Sequence, residues 1–287
     1  MKFEKGVSNM ATTLAERMSK FSGSPTSALI AKVAELKQQG KDIISLNVGE
    51  PDFGTPDYIK VAGMKAIADN FTKYTPGNGI LELRQEIVKK LKQDNGIEYG
   101  LNEITTSVGA KQAIASAMMV IAGPGDEVIL PIPCWVSYTE MIRLAGATPV
   151  FVPVRPDNYE LDLKAIEDAI TPRTKAIIIC TPNNPTGAVY SEESLRKLAE
   201  LAVKHDFFIV ADEIYEKLVY DGAKHFSVAS ISQEVKERTV TVNGFSKAYA
   251  MTGWRVGYAA ARPDVIKGIM AVQSQTTSAT CAISQKA

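Results

Sequence analysis

Cysteine and histidine are scarce in this sequence, with three of the first and two of the second among 287 residues. Cys134, Cys180 and Cys281 are too few and too scattered for a disulfide framework or a zinc site. No metal is therefore expected, and such cysteine usage fits a reducing cytoplasm. An excess of charge is also lacking. Lys plus Arg and Asp plus Glu stand at 32 each, so the chain has no bulk attraction for nucleic acid or a membrane surface. Recognition of an anion must come from single placed residues. No apolar run approaches the roughly 18 residues of a membrane-spanning helix, and the N-terminal twenty residues carry acids and lack an apolar h-region. An untargeted cytoplasmic protein is expected. What is present, 45% hydrophobic and 22% charged residues, suffices for one large core plus part of a second.

Residues 24–40 open with Ser/Thr capping candidates, carry Leu29, Val33 and Leu36 at helical spacing and stop at Gly40. This predicts an amphipathic helix after a loose arm. A Gly/Pro-rich loop at NVGEPDFGTPDY precedes a predicted helix from about Ile59 to Asn70, and a second turn-rich segment, TKYTPGNG, follows. Seven β-branched or apolar runs then alternate with helix-length stretches: 104–108, 127–131, 148–154, 175–180, 207–211, 239–243 and 256–261. Several are apolar throughout, as in a sheet covered on both faces by helices. The expected fold class is α/β, and in such sheets the ligand crevice lies beyond the carboxyl ends of the strands.

Chemistry-bearing residues fall where the strands stop. In SKAYAMTGWR, residues 246–255, Lys247 lies just past a strand and Arg255 eight residues later. A lone lysine is solvated surface, but an amine in this setting can form an imine with an aldehyde once its pKa is lowered. Asp212 in ADEIY ends another strand, where a carboxylate is ordinarily a cap or a surface group. Asn183 and Asn184 lie in the turn-forming TPNNPTG, with Asn184–Pro185 a candidate for unusual peptide geometry. VGAKQA reads as a strand end, a small-residue turn and a helix start, a backbone arrangement suited to phosphate. Trp135 in CWVSY is either a core aromatic or a plate for a flat ring.

The motifs VGEPDF, KYTPGNG, VGAKQA, CWVSY, TPNNPTG, ADEIY and SKAYAMTGWRVGY occur in this order, and together they resemble the class I and II aminotransferases, fold-type I pyridoxal-phosphate enzymes. The resemblance implies a seven-stranded mostly parallel sheet with helices on both faces. Lys247 resembles the Schiff-base lysine, Asp212 the partner of the pyridine nitrogen and Tyr215 the tyrosine that hydrogen-bonds the ring oxygen; these are the implied catalytic residues. Gly109, Ala110 and Lys111 match the phosphate loop, Arg255 the phosphate arginine, Trp135 the stacking aromatic and Asn184 the ring-oxygen donor. Tyr74 resembles the tyrosine that reaches the cofactor of a neighbouring subunit, which implies a homodimer. Gly49, Lys111, Trp135 and Asn184 are the implied substrate contacts. Glu213 is read as structural, and His205 and His225 match no motif.

The implied reaction is ping-pong transfer of an amino group from an amino acid to a 2-oxo acid. Lys111 occupies a place where, in the bacterial branch, a lysine reads a distal carboxylate, so aspartate with 2-oxoglutarate is expected. Aromatic or alanine aminotransfer, a carbon–sulfur lyase on the same scaffold and a non-catalytic pyridoxal-phosphate-binding protein stay open. The division expected is 1–48, an arm and helix of a small domain, and 49–287, the large cofactor-binding domain. Residues 279–287 read as helix, and the family continues from there into the rest of the small domain, which carries the arginine for the substrate α-carboxylate. Arg262 is an unsuitable substitute.

Overall fold

The computed structural model describes residues 15, 23, 25–46 and 48–287, Pro25 by its backbone alone. Most of the expected arm, including the capping candidate Ser24, lies outside the described residues. The strands are β1 (Ile104–Ser107), β2 (Glu127–Ile132), β3 (Thr148–Pro153), β4 (Thr174–Cys180), β5 (Phe208–Asp212), β6 (Thr239–Gly244) and β7 (Gly257–Ala260). All seven expected runs are strands, with no end moved by more than one residue. The helices are α1 (Pro25–Gln38), α2 (Asp57–Ala68), α3 (Leu81–Asn95), α4 (Gly109–Ile121), α5 (Ser137–Leu144), α6 (Leu163–Ala169), α7 (Glu192–His205), α8 (Gln233–Arg238), α9 (Pro263–Ser274) and α10 (Ala282–Lys286). Helix α2 begins two residues before the expected start, with Asp57 in its first turn where it favours the positive end of the dipole. The C-terminal stretch is helical only from Ala282, because Cys281 before it takes a non-helical backbone with ψ 123°.

The sheet order is β1-β7-β6-β5-β4-β2-β3. Every neighbouring pair is parallel except β7, which runs antiparallel to both β1 and β6. Alternation along β4 explains the two-sided core. Ala176, Ile178 and Cys180 pack with Ile114 and Met118 of α4, Ile142 of α5 and Ile266 of α9. Ile177 and Ile179 face the other way, against Ile166 of α6 and Leu195 and Leu198 of α7. Each fully buried aliphatic side chain contributes about 1.5–3 kcal/mol. A third cluster packs Ile87 and Leu91 of α3 on Ile104, Tyr258 and Ala260 at the β1–β7 edge. Helix α1 instead leaves Leu29 and Ile30 exposed. Among the described residues, no helix is long and apolar enough to cross a membrane.

Candidate active site

Strand direction assembles the site. Parallel strands end on one rim, so the segments after β1, β2, β4, β5 and β6 converge there. The reversed β7 starts on that rim, which brings Arg255, two residues before it, to the same place. The result is a cleft of about 480 Å³ lined by Gly49, Ala110, Lys111, Trp135, Asn184, Asp212, Tyr215, Lys247 and Arg255. Two expected residues stand apart. Gly109 abuts the Arg255 guanidinium without lining the cleft, and Tyr74, 99% exposed on the loop after α2, does not line it either.

Asp212 is the last residue of β5 and is 3% exposed. Its Oδ2 accepts a hydrogen bond from the Tyr138 hydroxyl at 2.6 Å, and its Oδ1 accepts one from the Ile214 amide at 3.2 Å. Burial pushes this carboxyl up to about 6; the Tyr138 and Ile214 bonds and the nearby Lys247 pull it down, and Glu213 adds to the rise. The Lys247 ammonium donates to the Gly49 carbonyl and lies 5.8 Å from the Tyr215 ring centre. Burial lowers its pKa and Arg255 lowers it further, while Glu50 and Asp212 act the other way. Both shifts favour the uncharged form of groups that ordinarily carry charge.

Asn184 donates through Nδ2 to the Tyr215 hydroxyl at 3.1 Å, and the Asn184–Pro185 peptide is cis. Asn183 turns inward and donates to Tyr190 at 3.0 Å, so it does not line the cleft. Burial raises Tyr215 to about 12, which keeps its hydroxyl protonated. Trp135 packs edge-on to Tyr138 with ring centres 5.3 Å apart, and the Lys111 ammonium sits 4.8 Å above the Trp135 ring.

The α4 N-terminus is built for close approach. Gly109 has φ +76°, and a Cβ there would lie 2.6 Å from Arg255 Nη2. Arg255 donates to the Thr252 and Val108 carbonyls at 2.9 and 3.3 Å, which fixes its guanidinium beside the first free amides of α4. Positive charge, helix dipole and a side-chain-free backbone meet at one end of the cleft, and an enclosed carboxylate lies at its floor. This donor set fits a flat heteroaromatic ring with a phosphate at one end and a basic nitrogen in the ring.

Tyr138 was not singled out from the sequence as a site residue. Its signal was its position three residues after Trp135, since the turn from Trp135 into α5 brings the two rings into edge-on contact. Glu213 is 1% exposed and faces away from the cleft; its Oε2 accepts from Ser227 at 2.7 Å and Asn95 at 3.3 Å, with His225 also 3.3 Å away. Ligand atoms of Glu213, Glu216 and His225 lie within 4.8 Å of one another, but Lys90 and Asn95 already engage Glu216 there. That arrangement is a hydrogen-bonded polar cluster within the core. Arg262 caps α9, bonds Asp264 at 2.9 Å and covers Phe208.

Comparison with known proteins agrees with this geometry. Residues 41–287 match the family model described as Aminotransferase class I and II. The chain is 47% identical over 279 residues to the aspartate aminotransferase of Bacillus sp. (strain YM-2), covering 97% of this chain and 71% of that protein. It is 46% identical to the aspartate aminotransferase of Bacillus subtilis (strain 168), covering 95% and 70% respectively. The solved aspartate aminotransferase of Thermus thermophilus with maleate superposes with a TM-score of 0.93 at 46% identity, covering 96% of this chain and 71% of that one. The chain belongs to the class I and II aminotransferases, pyridoxal-phosphate-dependent enzymes of fold type I.

Proposed function

We propose that this protein transfers the amino group of aspartate to 2-oxoglutarate, with Lys247 as the residue that bonds the cofactor. The observation that carries the reading is the pairing of a depressed lysine amine with an enclosed carboxylate in one cleft beside an anion-binding helix start. Arg255 and the amides that open α4 would hold the phosphate, Trp135 would cover one ring face, and Asn184 and Tyr215 would meet the ring oxygen. Asp212 would keep the ring nitrogen protonated. Bound there, pyridoxal phosphate supplies an aldehyde for imine chemistry and a ring that withdraws electrons.

The protein's own residues do the rest. Burial lowers the Lys247 pKa and so favours its free amine, which would take the proton from the substrate Cα and return it elsewhere as an acid. Lys111, in the first turn of α4, would pair with the distal carboxylate of a dicarboxylic substrate. The exchange is ping-pong, so the donor leaves as its 2-oxo acid before the acceptor enters. We assign residues 49–287 to the cofactor-binding unit and residues 1–48 to an arm and helix of a smaller one. A homodimer is part of the same reading. Tyr74 stands clear of its own cleft, and Tyr58, Val61, Met64 and Ile67 form an exposed apolar stripe along α2.

The direct test is chemical. Pyridoxal phosphate added to the protein, then reduced with borohydride and mapped by peptide mass, is expected on Lys247. An adduct on another lysine would overturn the assignment. Aspartate-dependent formation of glutamate from 2-oxoglutarate, set against release of pyruvate and ammonia together with sulfide from cysteine or homocysteine from cystathionine, separates aminotransfer from a carbon–sulfur lyase.

A further inference from the structure

Asp212 is faced from several elements. Tyr138 reaches it from α5, Cys180 lies beside it as its ladder partner on β4, Glu213 follows it in the chain and Lys247 approaches from the segment after β6. Burial, Glu213 and the fully buried Cys180 thiol oppose an ionised Asp212 or gain nothing from it. Lys247 favours it, but its ammonium donates to the Gly49 carbonyl. The Tyr138 hydroxyl is the side chain that donates directly, at 2.6 Å. A short hydroxyl–carboxylate bond in a buried setting is among the stronger hydrogen bonds a protein makes.

The hydroxyl is fixed in place. Tyr138 is 1% exposed, and its ring is held edge-on by Trp135 with an interplanar angle of 90°. Burial and the neighbouring negative charge raise the phenol well above its ordinary value, so it remains a donor across the working pH range. Its proton is therefore available to Asp212 whenever Asp212 is ionised.

We propose that Tyr138 is a positioning residue that orients the Asp212 carboxylate and holds it ionised, so that Asp212 can accept a hydrogen bond from a protonated ring nitrogen in the cleft. The second half of this statement rests on the pyridoxal-phosphate reading; the first does not. Without the hydroxyl, burial and Glu213 are opposed only by the Ile214 amide and Lys247, so Asp212 holds its own proton to higher pH. A ring nitrogen opposite a neutral carboxyl then loses its charge, and with it the electron withdrawal the reaction needs.

Two measurements test this. In the cofactor-free protein, the carboxylic-acid band of Asp212 is identified in an infrared pH titration by its absence from Asp212→Asn. Tyr138→Phe is expected to raise the midpoint of that band by about one pH unit, a tenfold change in proton affinity. An unchanged midpoint would overturn the proposal. Pyridoxal-phosphate dissociation constants are then measured for wild type, Tyr138→Phe, Asp212→Asn and the double variant. Loss of the hydroxyl is expected to weaken binding about tenfold when Asp212 is present and to change nothing when Asn replaces it. Equal losses in both backgrounds would show that Tyr138 acts by ring packing alone. If no variant binds the cofactor, the site reading fails, while the infrared midpoint still decides the Tyr138 role. Should the Phe variant not fold, the wild-type protein decides. A downfield hydroxyl proton resonance that shifts as Asp212 titrates is expected, and a resonance indifferent to that titration refutes the pairing.

Discussion

At the scale of single residues, the enclosed carboxylate of Asp212 costs the fold stability. Its carboxyl titrates near 3.8 in an unfolded chain and at about 6 in the folded one. The folded state therefore binds the extra proton between these values, and stability falls as pH rises through that window. A shift of this size corresponds to about 2–3 kcal/mol lost above pH 6. Asp212→Asn, without cofactor, is expected to unfold at a higher temperature than wild type at pH 7.5 and to lose that advantage by pH 4. Calorimetric scans at the two pH values check this, and equal unfolding temperatures at pH 7.5 would refute it. Such a cost is retained where function needs the charge.

Lys111 poses a different question, because its ammonium rests over Trp135 and has a pKa lowered by burial and by Arg255. A charge-assisted contact to a distal carboxylate is worth about 1.5–3 kcal/mol. Lys111→Ala is accordingly expected to lower kcat/KM for aspartate by about 10- to 100-fold and to spare alanine and phenylalanine. Equal losses for all three would mean that the first turn of α4 had been damaged.

At the scale of elements, the strand starts and stops were legible because apolar β-branched runs such as AIII in β4 are broken by Pro, Gly and Asn. The direction of a strand is not written in such a run. Nothing in VGYAAA marks β7 as reversed, yet the reversal is what carries Arg255 to the rim shared by Lys247 and Asp212. Tyr138 was hidden for a related reason, since its partner lies 74 residues away and only the folded sheet brings the start of α5 to the end of β5. Lys247 and Asp212 stand out in the sequence at strand ends, and the family resemblance supplied the roles proposed for them. Tyr138, whose contact depends on a distant partner, carried no such mark.

The junction of β7 with α4 is tight enough to test. A Cβ at Gly257 would lie 2.5 Å from the Ala110 nitrogen and 2.6 Å from the Gly109 carbonyl carbon, both backbone atoms with little room to move. Gly257→Ala is expected to cost about 1–3 kcal/mol by overpacking and to weaken pyridoxal-phosphate binding, because the amides of α4 shift with the clash. Gly54→Ala, where a Cβ meets nothing within 4 Å, serves as the neutral control. Thermal unfolding and a cofactor titration on both variants decide it, and an intact affinity in Gly257→Ala would mean that the helix start is not the phosphate site.

At the scale of the whole molecule, the exposed stripe on α2 and the loop that bears Tyr74 are consecutive in the chain, so a partner that covers one lies close to the other. In a two-fold assembly each subunit would then present Tyr74 to its partner, while Lys247 stays in its own cleft. This arrangement predicts complementation between two damaged proteins. Tyr74→Ala keeps Lys247 but deprives the partner site of its tyrosine, and Lys247→Ala does the reverse. Mixed after reversible dissociation, half of the dimers are hybrids, and each hybrid contains one site with both residues intact, or about one quarter of all sites. Pyridoxal-phosphate titration of the mixture is expected to show that fraction binding tightly, with neither parent protein doing so. Sedimentation velocity on Met64→Glu supplies the second check, since a charge in the stripe should favour the monomer. A mixture that binds no better than the average of its parents would place Tyr74 outside the shared site, and a Met64→Glu protein that sediments like wild type would remove the α2 stripe from the interface.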